Sequence, residues 1–229
     1  MCTKVELFSY CLSMKKKILI VGANGKMGSE ICEKLKNDYE IIKVTKEQKW
    51  TEFGADLVID FGSAESSVLS AKYCFEKHIP LIVGSTGQSE SQLEKIWQVA
   101  SVAPLMVCSN FSVGIARVKK CLAEILKEEI SDICIFEKHH KEKKDSPSGT
   151  AILLEKFISS KTKVPVQILS QRGGEEIGTH KIDFYLNGEA VSITHQAFSR
   201  AVFAEGVKKA VVFMLQQKMP KEYFFDDII

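Results

Sequence analysis

The run Ile18-Leu19-Ile20-Val21 contains no polar residue, the pattern of a parallel strand covered on both faces. It feeds the segment Gly22-Ala23-Asn24-Gly25-Lys26-Met27-Gly28, after which Met27, Ile31 and Leu35 recur at helical spacing. The order is strand, glycine-rich turn, helix. Further apolar runs predict strands over 39–45, from Ala55 (ADLVIDFG), over 80–84 and over 105–109. Helices are expected over 65–77, with Val68, Ala71, Cys74 and Phe75 on one side, and from the capping box Ser89/Gln92 through Ala100. Only nine residues separate Thr45 from Ala55, barely enough for a crossover helix, so the expected sheet is a trimmed one.

Past Ser112 the pattern changes. A helix over 117–127, a strand over 133–140, a helix after Pro147 and strands over 164–171, 178–186 and 189–198 are expected. Ile182, Phe184 and Leu186, then Val191, Ile193 and His195, alternate with polar residues, the mark of a half-exposed antiparallel sheet. Asn187-Gly188 between them signals a tight hairpin. A last helix over 203–217 returns to the first unit. The fold class is therefore α/β: a Rossmann-type doubly wound parallel sheet over 14–112 and 200–229, plus an inserted α+β domain over 113–199 with an open mixed or antiparallel sheet. Residues 1–13 read as an N-terminal extension of no assigned role.

Composition narrows the partners. At 229 residues, 45% apolar and 26% charged, the chain has the make-up of a globular protein. A net charge of +2, with lysines not interleaved with aromatics, argues against nucleic acid, and no apolar run reaches the length of a membrane span. Seven cysteines without a C-x-x-C pair, several inside apolar runs, fit a reducing compartment, so a cytoplasmic location is expected. Partners should be small molecules and, through the open sheet, sister subunits.

Two stretches carry chemistry. Glycines 22, 25 and 28, directly after the first strand, let a pyrophosphate approach backbone N–H groups at a helix start, which points to a dinucleotide. Strand two ends in Thr45-Lys46 where such folds place an acid; with Lys26 this favours a site accepting a 2′-phosphate, so NADPH is expected at least as much as NADH. The strand ends Gly84-Ser85-Thr86-Gly87 and Asn110-Phe111 should border the same crevice, although Phe111 reads equally well as a core aromatic. The second stretch, Glu137–Ala151, gathers two adjacent histidines, Lys138, Lys141, Lys143 and Lys144, and a Pro147-Ser148-Gly149-Thr150 helix start with outward N–H groups. That combination holds carboxylates and moves a proton near neutral pH. No metal site is expected, because adjacent strand histidines point to opposite faces and no carboxylate cluster completes a shell.

With the glycine turn, Gly84-Ser85-Thr86-Gly87, Ser109-Asn110-Phe111-Ser112 and His139-His140-x-x-Lys143-x-Asp145-x-Pro147-Ser148-Gly149-Thr150-Ala151 in order, the chain resembles the dihydrodipicolinate reductase (4-hydroxy-tetrahydrodipicolinate reductase) family from Lys17 to near its C-terminus. The resemblance implies a cytoplasmic, homotetrameric, NADPH- or NADH-dependent reductase of diaminopimelate and lysine biosynthesis acting on a cyclic dicarboxylate, by hydride transfer to ring C4 and protonation by a His or Lys acid. It implies His139 and Lys143 as catalytic, and His140, Gly149 and Thr150, with Ser148 at the same helix start, as substrate-binding. It implies cofactor contacts at Gly22, Asn24, Gly25, Lys26, Met27, Gly28, Gly84, Ser85, Thr86, Ser109, Asn110 and Phe111, to which the strand-end reading adds Lys46. The chain departs from the family in reading Phe61-Gly62-Ser63-Ala64 after the third strand, in having Ser85 for the commoner Thr, and in lacking an acid right after strand two. Two rivals are another two-domain NAD(P)-dependent amino-acid dehydrogenase, which has no need of the helix start facing two histidines, and a non-catalytic NADPH-binding protein, which would lose the acid–base stretch.

Overall fold

The computed structural model describes residues 15–44 and 54–229. Lys46, with its neighbours Thr45 and Glu47, and the extension 1–13 lie outside the described residues.

Five parallel strands form the first sheet: β1 (Lys17–Val21), β2 (Glu40–Val44), β3 (Leu57–Asp60), β4 (Leu81–Val83) and β5 (Leu105–Val107), in the order β2-β1-β3-β4-β5. Alternate residues of each strand go to opposite faces. Ile18, Ile20, Leu57 and Ile59 pack with Ile31 and Leu35 of α1 (Lys26–Leu35) and with Val207, Val211 and Met214 of the last helix (Ala201–Met214). Leu19, Val21 and Val58 pack with Ala71 and Cys74 of α2 (Ala64–Lys77) and Ile96 of α3 (Glu90–Trp97). With helices on both faces the inner strands need apolar side chains, which is why β1, β3, β4 and β5 read as apolar runs up to Asp60 at the end of β3, whereas the edge strand β2 carries Glu40 and Lys43.

One helix register differs from expectation. Phe75 is 41% exposed, whereas Ser67 and Ser70 are buried beside Ala71 and Cys74. The cause is Asp60, fully buried at the end of β3, which accepts hydrogen bonds from Ser70 Oγ at 2.5 Å and Ser66 Oγ at 3.1 Å and turns the serine face of α2 inward. A buried carboxylate must find donors, and here that need overrides apolar periodicity.

The second sheet has the order β7-β6-β8-β9, with β6 (Asp132–His139) parallel to β7 (Val166–Arg172) and antiparallel to β8 (Gly178–Leu186), which pairs with β9 (Glu189–Ala197). A two-residue turn, Asn187-Gly188, joins the hairpin with Gly188 at φ 83°. Helices α4 (Val113–Ile125) and α5 (Gly149–Ser159) cover one face, burying Ile133, Ile135, Ile182 and Phe184 against Ile115, Leu122, Leu154 and Ile158. Leu169, Tyr185 and Val191 remain exposed. Helix α4 starts at Val113, ahead of the expected 117, because Ser112 accepts the Ile115 N–H as its cap; Gly114, which weakens the helical signal, lies where a side chain would strike the His195 ring. The last helix is α6.

Candidate active site

The glycine turn keeps its helix start open. Serines cap α2, α3, α4 and α5 (Ser63, Ser89, Ser112 and Ser148), each accepting a backbone N–H, whereas α1 begins at Gly25 with no side-chain bond to its N–H groups. Gly22 has φ 76°, and a β-carbon there would meet the Phe61 carbonyl oxygen at 2.7 Å. A cavity of about 730 Å³ opens at this turn, lined by Val21–Gly25, Val44, Phe61–Ser63, Glu65, Ser66 and Leu69. Asn24, Gly25 and Lys26 are exposed, Gly28 is buried, and Met27 is half-buried against the first core.

The wall formed by Phe61, Gly62 and Ser63 is not among the expected contacts. It is fixed from below by Asp60, whose Oδ1 accepts the Gly62 N–H at 2.9 Å. The Gly84 N–H donates to the Asp60 carbonyl at 2.8 Å, and Ser85 Oγ lies 2.5 Å from Ser67 Oγ and 3.0 Å from Gln88 Nε2. Gly84 and Ser85 thus sit beside the Phe61–Ser63 wall, while Thr86 and Ser109 are exposed. Burial pushes the Asp60 carboxyl up, against the pull of Ser70, Gly62, Ser66 and Ser85. The Phe111 ring is 2% exposed and packs in the first core between Phe61 and Phe225, as the core-aromatic reading of this residue expects.

The second centre follows from strand register. Glu137 and His139 share the helix-facing side of β6 with Ile133 and Ile135, since residues two apart point the same way. Pairing sets Glu137 opposite His180, His180 opposite His195, and His139 beside Arg172. At this end the apolar face gives way to a polar cluster. The Glu137 carboxylate, fully buried, accepts from His139 Nδ1, from Arg172 Nη2 at 2.7 Å and from the Ser148 N–H at 3.3 Å. Burial raises its pKa, but Arg172, Ser170 and His139 outweigh that and hold it below the usual carboxylate range. His139 is driven down by burial despite the bond and charge of Glu137, with Lys143 and Arg172 adding to the fall. Its ring meets that of His180 edge-on at 5.1 Å.

Ser148 differs from expectation. Its hydroxyl is buried, accepts the Ala151 N–H and lies 3.1 Å from His180 Nε2, so it faces inward. The open part of this helix start is Gly149 and Thr150, and there the chain supplies its own anion: Asp145 takes Lys143 Nζ at 2.8 Å. Burial pushes the Asp145 carboxyl up, but Lys143 and the Asp145 and Gly149 N–H groups hold it below its ordinary value. His140 sits just past β6, half-buried, its N–H on the Glu176 carbonyl at 2.8 Å. Two side-chain bonds join this centre to the strand ends of the first sheet: Asn110 Nδ2 donates to Thr150 Oγ1 at 2.7 Å, and Ser112 Oγ lies 3.2 Å from His195 Nε2.

Sequence reasoning misses Glu137, Arg172, His180 and His195. Glu137 lies within the chemistry-bearing stretch, two residues before His139, and the period of two would place it on the same face; the other three need the pairing register. Glu137, His139 and His180 bring donor atoms within 4.8 Å of one another, so a carboxylate does stand beside the histidines. The guanidinium on Glu137 makes this a proton and charge network, in which Arg172 Nε and His180 Nδ1 are buried without a hydrogen-bond partner.

His180 gives a stability prediction. Burial, reinforced by the His139 charge, pushes it from its ordinary 6.5 down to about 3. Between those values the unfolded chain binds a proton that the native state does not, so stability is full above the upper value and falls on acidification, with a slope of about 1.4 kcal/mol per pH unit for this proton. Urea unfolding at stepped pH should reveal the slope, and His180→Gln should remove this proton's share.

Residues 114–229 match the family model described as dihydrodipicolinate reductase, C-terminus, and residues 42–111 match its N-terminus model. A 4-hydroxy-tetrahydrodipicolinate reductase from Clostridium tetani is 35% identical, covering 86% of this chain and 91% of its own. One from Campylobacter fetus is 32% identical over 93% of this chain and 98% of its own. A dipicolinate-bound dihydrodipicolinate reductase from Paenisporosarcina superposes with a TM-score of 0.76 at 19% identity, covering 94% of this chain and 100% of the other, a likeness of fold.

Proposed function

The chain belongs to the dihydrodipicolinate reductase family, and from that premise we propose that it reduces 4-hydroxy-tetrahydrodipicolinate to tetrahydrodipicolinate in diaminopimelate and lysine biosynthesis, with proton chemistry at the Glu137–Ala151 stretch. The family's reductases use NADH or NADPH. Residues 14–112 and 200–229 are read as the cofactor unit and 113–199 as the substrate and assembly unit. The residues at the first turn fit a dinucleotide: the α1 N–H groups are free of a side-chain cap, Gly22 admits a close approach, and the cavity of about 730 Å³ is of ligand size. Gly22, Asn24, Gly25 and Lys26 would cradle phosphates, with Phe61–Ser63 as the opposing wall. When bound, the nicotinamide supplies the hydride.

The protein's own part is to bind and protonate. Lys143 and the Gly149-Thr150 helix start take a substrate carboxylate, with His140 at the rim. His139 supplies the proton that completes the reduction. Ser148, turned inward, positions the helix start. The observation that carries this reading is the buried Glu137–His139–Arg172 cluster lying beside Lys143 and the α5 start. An acid–base centre of this kind has no place in a protein that only binds nucleotide.

A cyclic dicarboxylate as ligand is supported by the dipicolinate bound to the Paenisporosarcina reductase. Assembly into a homotetramer is attributed to the wet face of the second sheet, where Leu169 and Tyr185 are exposed. Among the described residues no helix is long and apolar enough to cross a membrane, and a cytoplasmic location is part of the proposal.

The deciding test follows oxidation of NADPH, and separately NADH, while a synthase generates substrate from pyruvate and aspartate semialdehyde. Substrate-dependent oxidation establishes the reaction and, from the two kcat/KM values, the cofactor preference. Folded protein that binds NADPH but oxidises neither cofactor overturns the reading.

A further inference from the structure

An imidazole that donates a proton to carbon must present the right nitrogen, and the ring alone does not decide which. In this protein the choice is made by the strand. Glu137 and His139 leave β6 on the same side, and Glu137 Oε2 meets His139 Nδ1. Glu137 cannot turn away: Arg172 holds its other oxygen at 2.7 Å, and the Ser148 N–H approaches that oxygen at 3.3 Å. The opposite ring nitrogen, Nε2, lies over Gly178, where an added β-carbon would sit 2.8 Å from it, so the lack of a side chain keeps this nitrogen uncovered.

We propose that Glu137 is the positioning residue of the proton-donating step: by accepting the Nδ1–H it fixes the ring and its tautomer and makes Nε2 the nitrogen from which the proton leaves. The inference rests on the reading of His139 as the acid. In the step, the N–H bond at Nε2 of the imidazolium breaks, its electron pair stays on the ring, and the proton forms a C–H bond at the substrate carbon left electron-rich by hydride addition. What remains is the neutral Nδ1–H ring, the form that Glu137 already accepts from. No ring flip precedes reprotonation from water. Arg172 and the Ser148 N–H keep Glu137 an acceptor throughout.

The groups facing the ring are Glu137 on its own strand, Arg172 from β7, His180 from β8 with His195 behind it on β9, Lys143 from the following loop, and neutral Ser148 at the start of α5. Glu137 alone among these charges favours the imidazolium; Arg172 and Lys143 oppose it. Removing the carboxylate charge therefore moves loss of the acid to lower pH.

The test is Glu137→Gln, read in two ways. In the ligand-free protein, ring nitrogen NMR shifts, assigned by comparison with His139→Gln, should report an Nδ1–H tautomer in the parent, and in Glu137→Gln a population of Nε2–H and a titration lowered by about one pH unit. In turnover, kcat should fall about tenfold or more with KM for NADPH unchanged, and the decline of kcat with rising pH should begin correspondingly earlier. Glu137→Asp, which keeps the charge but withdraws it from the ring, should fall between Glu137→Gln and the parent in kcat and in the share of the Nδ1–H tautomer. A folded Glu137→Gln that keeps the tautomer, the pH profile and a kcat within about twofold overturns the proposal. If Glu137→Gln does not fold, Glu137→Asp decides: its retreated carboxylate should lengthen the Nδ1 bond and give a partial loss of kcat, and a parent-like tautomer population, rate and profile overturns the proposal. Absence of turnover in the parent would remove the reductase reading, while the ring titration still decides the part played by Glu137.

Discussion

Replacing Lys143 by alanine is expected to lower kcat about a hundredfold or more while leaving NADPH affinity nearly unchanged. The ammonium is mostly buried, lies beside Asp145 at the start of α5, and is one of the two groups read as catalytic. Its loss removes both a partner for the substrate carboxylate and a local positive charge at the step where charge develops. The glycine turn that would hold the cofactor is on a different sheet and makes no contact through this side chain, so cofactor binding should stand. Steady-state kinetics with a separate fluorescence titration of NADPH check this. A large loss of NADPH affinity at unchanged turnover would sink the assignment, and Lys143→Arg should recover part of the rate by restoring the charge.

Phe111→Ala is expected to destabilise the fold by about 3–5 kcal/mol, the usual range for emptying a buried aromatic site. Phe111 is wedged between Phe61 and Phe225, and its backbone carbonyl presses on Gly206 of α6, so its removal loosens the core where strand, helix and C-terminal segment meet. Urea unfolding measures the loss. Under conditions where the variant stays folded, KM for NADPH should match the parent, because the ring faces the core; a selective rise in KM with normal stability would restore the ring to the cofactor site.

The elements that read most clearly in the sequence are those governed by a single period. The unbroken runs of β1 and β3, the Ser89/Gln92 box and the Asn187-Gly188 hairpin each owe their form to local chemistry, and each stands at its expected place. Apolar spacing brings Ala71 and Cys74 of α2 inward but misplaces Phe75 and misses Ser67 and Ser70, because the orientation of that helix also answers to Asp60, a partner on another element. The site divides in the same way. Chain-local chemistry marks His139, Lys143 and the α5 start; what surrounds them, Arg172 from β7, His180 from β8 and His195 from β9, is assembled by strand pairing, which composition and spacing do not encode. The inward turn of Ser148 belongs to this class, since its partner His180 is thirty-two residues away.

The contact between Asp145 and Lys143 at the start of α5 has a thermodynamic meaning for ligand capture. An anion arriving there replaces one carboxylate by another, so its apparent affinity is a difference between two like interactions. Such an exchange leaves the number of ion pairs nearly constant and releases Asp145 to water as the ligand enters. The affinity for pyridine-2,6-dicarboxylate should then vary only weakly with ionic strength, whereas Asp145→Asn, which leaves Lys143 without its internal anion, should bind it more tightly at low salt and lose that advantage as salt rises.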